Sequence, residues 1–223
     1  MSRWIVLDTS FGPVSAWEAN PVGKPPRAGL IVMQEIFGVN MHIRSIASSF
    51  ARAGYAVLAP AFFDPIRKKV ELGYSGASFS KGRKLADQLG FNAALEITRA
   101  ARDRLAPIGK VGSVGYCWGG AVALLAAIRL GLPSVSYYGA RNVEFLDDAK
   151  DLKVPVMFHF GEKDPSISVE TIRKHRELPH AQTFVYPAGH AFNRDVDPRS
   201  YDPLSAELAQ GNTLVFFAEH LQQ

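Results

Sequence analysis

The sequence predicts an α/β fold, a mostly parallel central sheet with helices on both faces, on three observations. Continuous apolar runs such as Ala28–Met33, Tyr55–Ala59 and Val154–Phe160 are of the kind buried on both faces of a parallel sheet. Segments of helical period, Ile43–Ala53 and Asn92–Leu105 among them, alternate with these runs, which implies crossover connections between parallel strands. Composition agrees: 47% hydrophobic and 21% charged residues in 223 suit a single globular domain over residues 1–223, with a core that needs no staples.

Taken in order, Trp4–Leu7 and Val14–Glu18 read as an antiparallel edge hairpin turning around Gly12-Pro13. Asn20–Arg27, rich in Pro and Gly, is a loop before the buried strand Ala28–Met33. A helix over Ile43–Ala53 stops at Gly54, and the strand Tyr55–Ala59 is ended by Pro60. Phe62–Leu89 is basic, aromatic and without a sustained period, and reads as an excursion over the top of the sheet. The amphipathic helix Asn92–Leu105 leads into a strand from Lys110, followed by the small-residue helix Ala121–Ile128 with Gly131 as its cap. Ser134–Tyr138, Val154–Phe160 and Gln182–Tyr186 are further strands, Val169–Leu178 is helical, and Pro203–Gln223 supplies a terminal helix broken near Gly211.

Several classes are excluded. There is no apolar run of about 18 or more residues, so no transmembrane helix is expected, and the N-terminus lacks a secretory hydrophobic region. The single cysteine allows no internal disulfide and no cysteine-cluster zinc site. A cytoplasmic protein is the simplest expectation. The net charge of +4 is scattered. Arg67-Lys68-Lys69 and Lys81-Gly82-Arg83-Lys84 are too short to argue for nucleic acid, leaving a weak bias towards anionic small molecules. Nothing in the sequence bears on oligomeric state.

Chemistry concentrates at Gly112-Ser113-Val114-Gly115-Tyr116-Cys117-Trp118-Gly119-Gly120, where a strand runs into a helix. Gly-x-Cys-x-Gly there has the spacing of a nucleophile elbow, with cysteine where serine is commoner. Glycines two residues either side let strand and helix approach, and the helix N-terminus favours a thiolate. The plainer alternative is a buried structural cysteine. A cysteine nucleophile needs a base and the base an orienting group, in the order nucleophile, acid, histidine. Asp164 follows Cys117 by 47 residues and His190 follows Asp164 by 26. Glu35, Cys117, Asp164 and His190 all lie just past predicted strands, where parallel sheets place their chemistry. His42 and His175 fall in predicted helices, His180 in a polar loop, His220 near the C-terminus, and His159 within a strand. No metal-ligand spacing occurs among them.

Four segments, Gln34-Glu35-Ile36-Phe37-Gly38-Val39-Asn40, Gly115-Tyr116-Cys117-Trp118-Gly119-Gly120, Gly161-Glu162-Lys163-Asp164 and Gly189-His190-Ala191-Phe192-Asn193-Arg194, resemble motifs of the dienelactone hydrolase (carboxymethylenebutenolidase) family. The resemblance implies an α/β-hydrolase fold and a Cys117–His190–Asp164 triad, with oxyanion donors at the backbone N–H groups of Ile36 and Trp118. It gives Glu35 the task of restraining the resting thiol and sharing in its deprotonation. It implies a five-membered unsaturated lactone carrying a carboxylate, held by arginines, and no cofactor. Arg194, four residues after His190, matches one such arginine. The second should come from the excursion, where the sequence departs from the family pattern and Arg83, then Arg67, are the candidates. The expected reaction is lactone opening through a thioester acyl-enzyme. The alternatives are the same machinery serving another small ester, a redox-sensing thiol protein (disfavoured by the absence of a resolving cysteine), and a binding module on a hydrolase scaffold.

Overall fold

The computed structural model describes residues Ser2–Leu221. The chain divides into two compact units, one running to Gly112 and taking in Leu221, the other Ser113–His220.

In the first unit, β1 (Ser2–Thr9) and β2 (Gly12–Ala19) pair antiparallel along their whole length. β2 also pairs antiparallel with β4 (Ala56–Pro60), and β3 (Gly29–Met33) pairs parallel with β4. Every residue of β3 and β4 is buried, as their unbroken apolar sequences require. The hairpin turns at Ser10-Phe11 rather than at Gly12-Pro13, which lie within β2 opposite Thr9 and Asp8. The Thr9 hydroxyl sets that turn by donating to the Gly12 carbonyl at 2.7 Å and accepting the Phe11 N–H. Pro60 is the last residue of β4 rather than its terminator. Helix α1 (Met41–Arg52) begins where the Asn40 side chain accepts the Ile43 N–H.

The excursion reading of 62–89 needs correction. Gly76–Leu89 is the first half of a 30-residue helix, α2 (Gly76–Leu105), interrupted only at Gly90, whose φ of 73° and ψ of 164° are not helical. The Ser75 side chain caps it by accepting the Ser78 N–H. Its first half buries only Gly82, Leu85 and Ala86, too narrow a stripe to register as hydrophobic period. Gly82 is required there: a Cβ would stand 2.1 Å from the Ile36 carbonyl oxygen.

Strand β5 (Val111–Tyr116) begins in the first unit and enters the second at Ser113, and the second unit continues through α3 (Trp118–Leu130), β6 (Ser134–Tyr137), β7 (Val156–Gly161), α4 (Val169–Arg176), β8 (Ala181–Tyr186) and α5 (Pro203–His220). Strands β5, β6, β7 and β8 pair in that order, all parallel. Gly131, at φ 65°, closes α3 as its position suggests. Tyr138 lies beyond β6 rather than in it, at φ 39°. Helix α5 runs through Gly211 without a break. Burial of Ala209, Thr213, Phe216 and Phe217 outweighs the roughly 1 kcal/mol a mid-helix glycine costs. The expectation that this helix continues to Gln223 reaches beyond the described residues. Among those residues no helix is long and apolar enough to cross a membrane.

Candidate active site

Cys117 stands between β5 and α3 with φ 56° and ψ −114°, a strained elbow that lifts the side chain out of the strand-to-helix path. Its backbone is pinned: the N–H donates to the Tyr137 carbonyl at 3.0 Å, and the carbonyl accepts the Gly120 N–H at 3.0 Å. A Cβ on Gly115 would lie 1.8 Å from the Gly119 carbonyl oxygen, so the glycine spacing has the steric cause that the sequence suggests. Trp118 is the first residue of α3, the position from which the residue after a nucleophile donates its backbone N–H.

Asp164 follows β7 with its side chain wholly buried. One oxygen accepts the Ser166 N–H at 2.8 Å, and the other accepts from His190 Nδ1 at 2.6 Å. A backbone bond to one oxygen and an imidazole bond to the other fix the carboxylate's plane. His190 lies on the loop after β8, its ring 5.1 Å from that of the buried Tyr138. Burial alone would lower its pKa. Negative charge on Cys117, hydrogen bonding to Asp164 and hydrogen bonding to Cys117 outweigh that and raise it to about 10. Since Nδ1 is committed to Asp164, Nε2 is the nitrogen left for the sulfur. Cys117, His190 and Asp164 are thus brought together within one unit, in an arrangement able to generate a thiolate and move its proton.

Arg194 is buried. Its side chain is 8% exposed and its Nη1 lies 3.4 Å from Asp197 Oδ2. Arg199 holds the same carboxylate through Nε at 2.9 Å, and its hydrogen bond is the main cause that keeps Asp197 below the ordinary carboxylate range. Sequence reasoning missed Arg199, Tyr138 and Phe192. The first is visible only as another arginine near Asp197. Tyr138 reads only as the end of a strand and Phe192 only as part of the Gly189–Arg194 segment, although the two rings lie 5.4 Å apart beside His190.

The remaining candidates belong to the first unit. Glu35 and Ile36 follow β3 and are buried. The Gln34 side chain brackets them, its Nε2 donating to the Glu35 carbonyl and its Oε1 accepting the Phe62 N–H. Arg83 is exposed on α2, with Nε 3.9 Å from Asp87 one turn on, and Arg67 is exposed as well. Among the described residues no group of three or more His, Cys, Asp or Glu side chains is placed to hold a metal ion.

The sequence model of the dienelactone hydrolase family matches residues 14–221. A carboxymethylenebutenolidase of Pseudomonas putida is 32% identical over 217 residues, 88% of this chain and 89% of that protein. A probable 2-oxo-3-(5-oxofuran-2-ylidene)propanoate lactonase of Bradyrhizobium is 30% identical over 245 aligned positions, 98% of this chain and 94% of that one. Among solved structures, one described as a putative dienelactone hydrolase of Klebsiella pneumoniae superposes with a TM-score of 0.87 at 28% identity, covering 98% of both chains. The mostly parallel sheet with its helices is therefore the α/β-hydrolase fold.

Proposed function

This chain belongs to the dienelactone hydrolase family, and from that premise we propose that it opens a small carboxylated lactone through a Cys117–His190–Asp164 triad. The hydrolase activity belongs to the family; the triad and the thioester route are our reading. The observation that carries it is the 2.6 Å hydrogen bond from His190 Nδ1 to Asp164, on a histidine that also bonds Cys117.

The chemistry follows from the charges. The Cys117 sulfur attacks the lactone carbonyl, a C–S bond forms, and the ring C–O bond breaks. The departing oxygen takes the proton from His190 Nε2, leaving a thioester and a neutral imidazole. Acylation removes the sulfur's negative charge, one of the influences that raise the His190 pKa, so the same ring becomes a competent base. It then takes a proton from water as the water oxygen attacks the thioester, and the C–S bond breaks to return the thiolate and imidazolium and release a carboxylic acid, which gives its remaining proton to solvent and leaves as a carboxylate. The roles of Glu35, as restraint on the thiol, and of the Ile36 and Trp118 N–H groups, as oxyanion donors, are part of this proposal and rest on the family resemblance.

Substrate class is argued from two sides. The Pseudomonas and Bradyrhizobium relatives are named for lactones that carry a carboxylate, and a guanidinium such as Arg194 suits that group. A second reading, the same machinery acting on a neutral ester, is favoured by the buried pairing of Arg194 with Asp197. A panel of carboxylated dienelactones, neutral lactones and aryl esters separates the two. Turnover of the carboxylated lactones at the highest kcat/KM, lost in Cys117→Ala, supports the first. Near-native hydrolysis by Cys117→Ala would sink the triad.

A further inference from the structure

One buried cluster in the second unit takes no part in this chemistry. His159 of β7 is fully buried. Its Nδ1 lies 2.9 Å from the Tyr186 hydroxyl and its Nε2 3.0 Å from Thr213 Oγ1. That threonine oxygen is also 2.7 Å from the Tyr137 hydroxyl and 2.8 Å from the Ala209 carbonyl. Asn212 Nδ2 lies 3.2 Å from the Tyr186 hydroxyl.

The protons of this cluster follow from the chemistry of its atoms. A carbonyl only accepts, so the one Thr213 hydroxyl proton goes to Ala209. The Thr213 oxygen must then accept from both Tyr137 and His159 Nε2–H. That fixes the tautomer of His159, whose Nδ1 accepts the Tyr186 proton, and the Tyr186 oxygen accepts in turn from Asn212. Each of these bonds has one donor and one acceptor with the ring neutral, and burial pushes His159 down to about 3, which keeps it so. A buried polar network satisfied in this way admits one arrangement of its members.

The strand residues in the network are those that lead to the triad. The Tyr137 carbonyl accepts the Cys117 N–H at 3.0 Å, and the His159 carbonyl accepts the Tyr138 N–H at 2.7 Å. The Tyr186 carbonyl accepts the N–H groups of Glu162 at 2.8 Å and Ala188 at 2.7 Å, each two residues before Asp164 or His190. The Tyr186 ring also stands 5.2 Å from Phe192, just past His190.

We propose that the His159–Thr213–Tyr137–Tyr186 network positions the triad, with α5, through Thr213, fixing the spacing of the strand ends that carry Cys117, Asp164 and His190. These are positioning residues, since none touches a reacting atom. The inference rests on the triad reading above and adds to it a determinant outside the catalytic loops.

Thr213→Val removes the shared oxygen at nearly constant volume and leaves the Tyr137 hydroxyl and His159 Nε2–H without their acceptor. Assayed with p-nitrophenyl acetate well below its Tm, it should lose about tenfold or more in kcat with KM within about twofold, the size of effect a small misplacement produces. Thr213→Ser should restore the rate. Proton NMR of the unliganded protein reads the low-field proton between His190 Nδ1 and Asp164 without any substrate. That signal should shift or broaden in Thr213→Val and return in Thr213→Ser. If Thr213→Val does not fold, Tyr186→Phe decides by the same measurements. A folded variant with wild-type kcat, an unmoved His190 proton and only a lower Tm overturns the proposal. Hydrolysis that survives Cys117→Ala would remove the triad's chemistry instead, while the NMR comparison would still show whether α5 sets the geometry of His190 and Asp164.

Discussion

Cys117 holds its thiol at φ 56° and ψ −114°, a backbone region that side-chain-bearing residues rarely occupy and that costs on the order of 1–3 kcal/mol. The strain acts through the Cβ, so Cys117→Ala keeps it and Cys117→Gly relieves it. Both variants should be inactive, yet Cys117→Gly should be the more stable by about 1 kcal/mol in urea denaturation, after the added flexibility of its unfolded chain is offset. Equal stability of the two would mean the elbow stores no strain. The same scale shows what a sequence can carry. The grouping of Cys117, Asp164 and His190 was legible because the proposed chemistry demands a fixed order and strand-end placement. The environment of Arg194 was not, because Asp195 and Asp197 stand equally near it in sequence. Only the packing puts Asp197 against both Arg194 and Arg199.

Among the elements, the β5–α3 junction was the most legible and α2 the least, for opposite physical reasons. At the junction, tight approach demands glycine. Gly115→Ala would force a Cβ to within 1.8 Å of the Gly119 carbonyl oxygen, contact with backbone that cannot rotate away. It should destabilise the protein by about 3 kcal/mol or more. A denaturation midpoint unchanged from wild type would mean that strand and helix can separate freely. The first half of α2 hides its nature because it contacts the rest of its unit through Gly82, Leu85 and Ala86, and a glycine ends it. Helix capping by Ser75 was the one local signal available. The hairpin and α5 misreadings share a cause: Gly12, Pro13 and Gly211 were read as punctuation, but strand pairing and burial override local preference at each.

For the whole molecule, titration sets a pH dependence whose sign can be worked out. His159 and His175 are fully buried, with pKa values lowered by burial to about 3 and about 4. Their unfolded values are higher, so the unfolded chain takes protons first. The stability they permit is complete above pH 6.5 and is lost as pH falls towards those folded values. His175 donates Nδ1–H to the Thr171 carbonyl at 2.7 Å and lies edge-on to Phe158 and Phe160, neutral or aromatic partners that do not balance a charge on the ring. Between pH 7 and pH 5 it should account for about 2 kcal/mol of lost stability. His175→Gln should shrink that pH difference by the same amount, read from urea unfolding at both pH values. An unchanged difference would clear His175 of the effect. His190 works in the opposite sense, since its raised pKa gives stability that is full below pH 6.5 and fades as the pH climbs towards 10.

The bonds from the Cys117 N–H to the Tyr137 carbonyl and from the Tyr138 N–H to the His159 carbonyl have a further consequence. In a machinist's terms, β6 is the datum: the elbow is dimensioned from one end of it, and β7 is dimensioned from the same end. Locations are gauged sideways, strand to strand, and not by adding up residues along the chain. Errors in the connecting segments therefore do not accumulate into the spacing of the triad. Of the two short helical turns that follow β6, Ala140–Phe145 and Asp148–Asp151, the first is itself gauged from the datum, since buried Asn142 donates to the Ser136 hydroxyl at 3.2 Å.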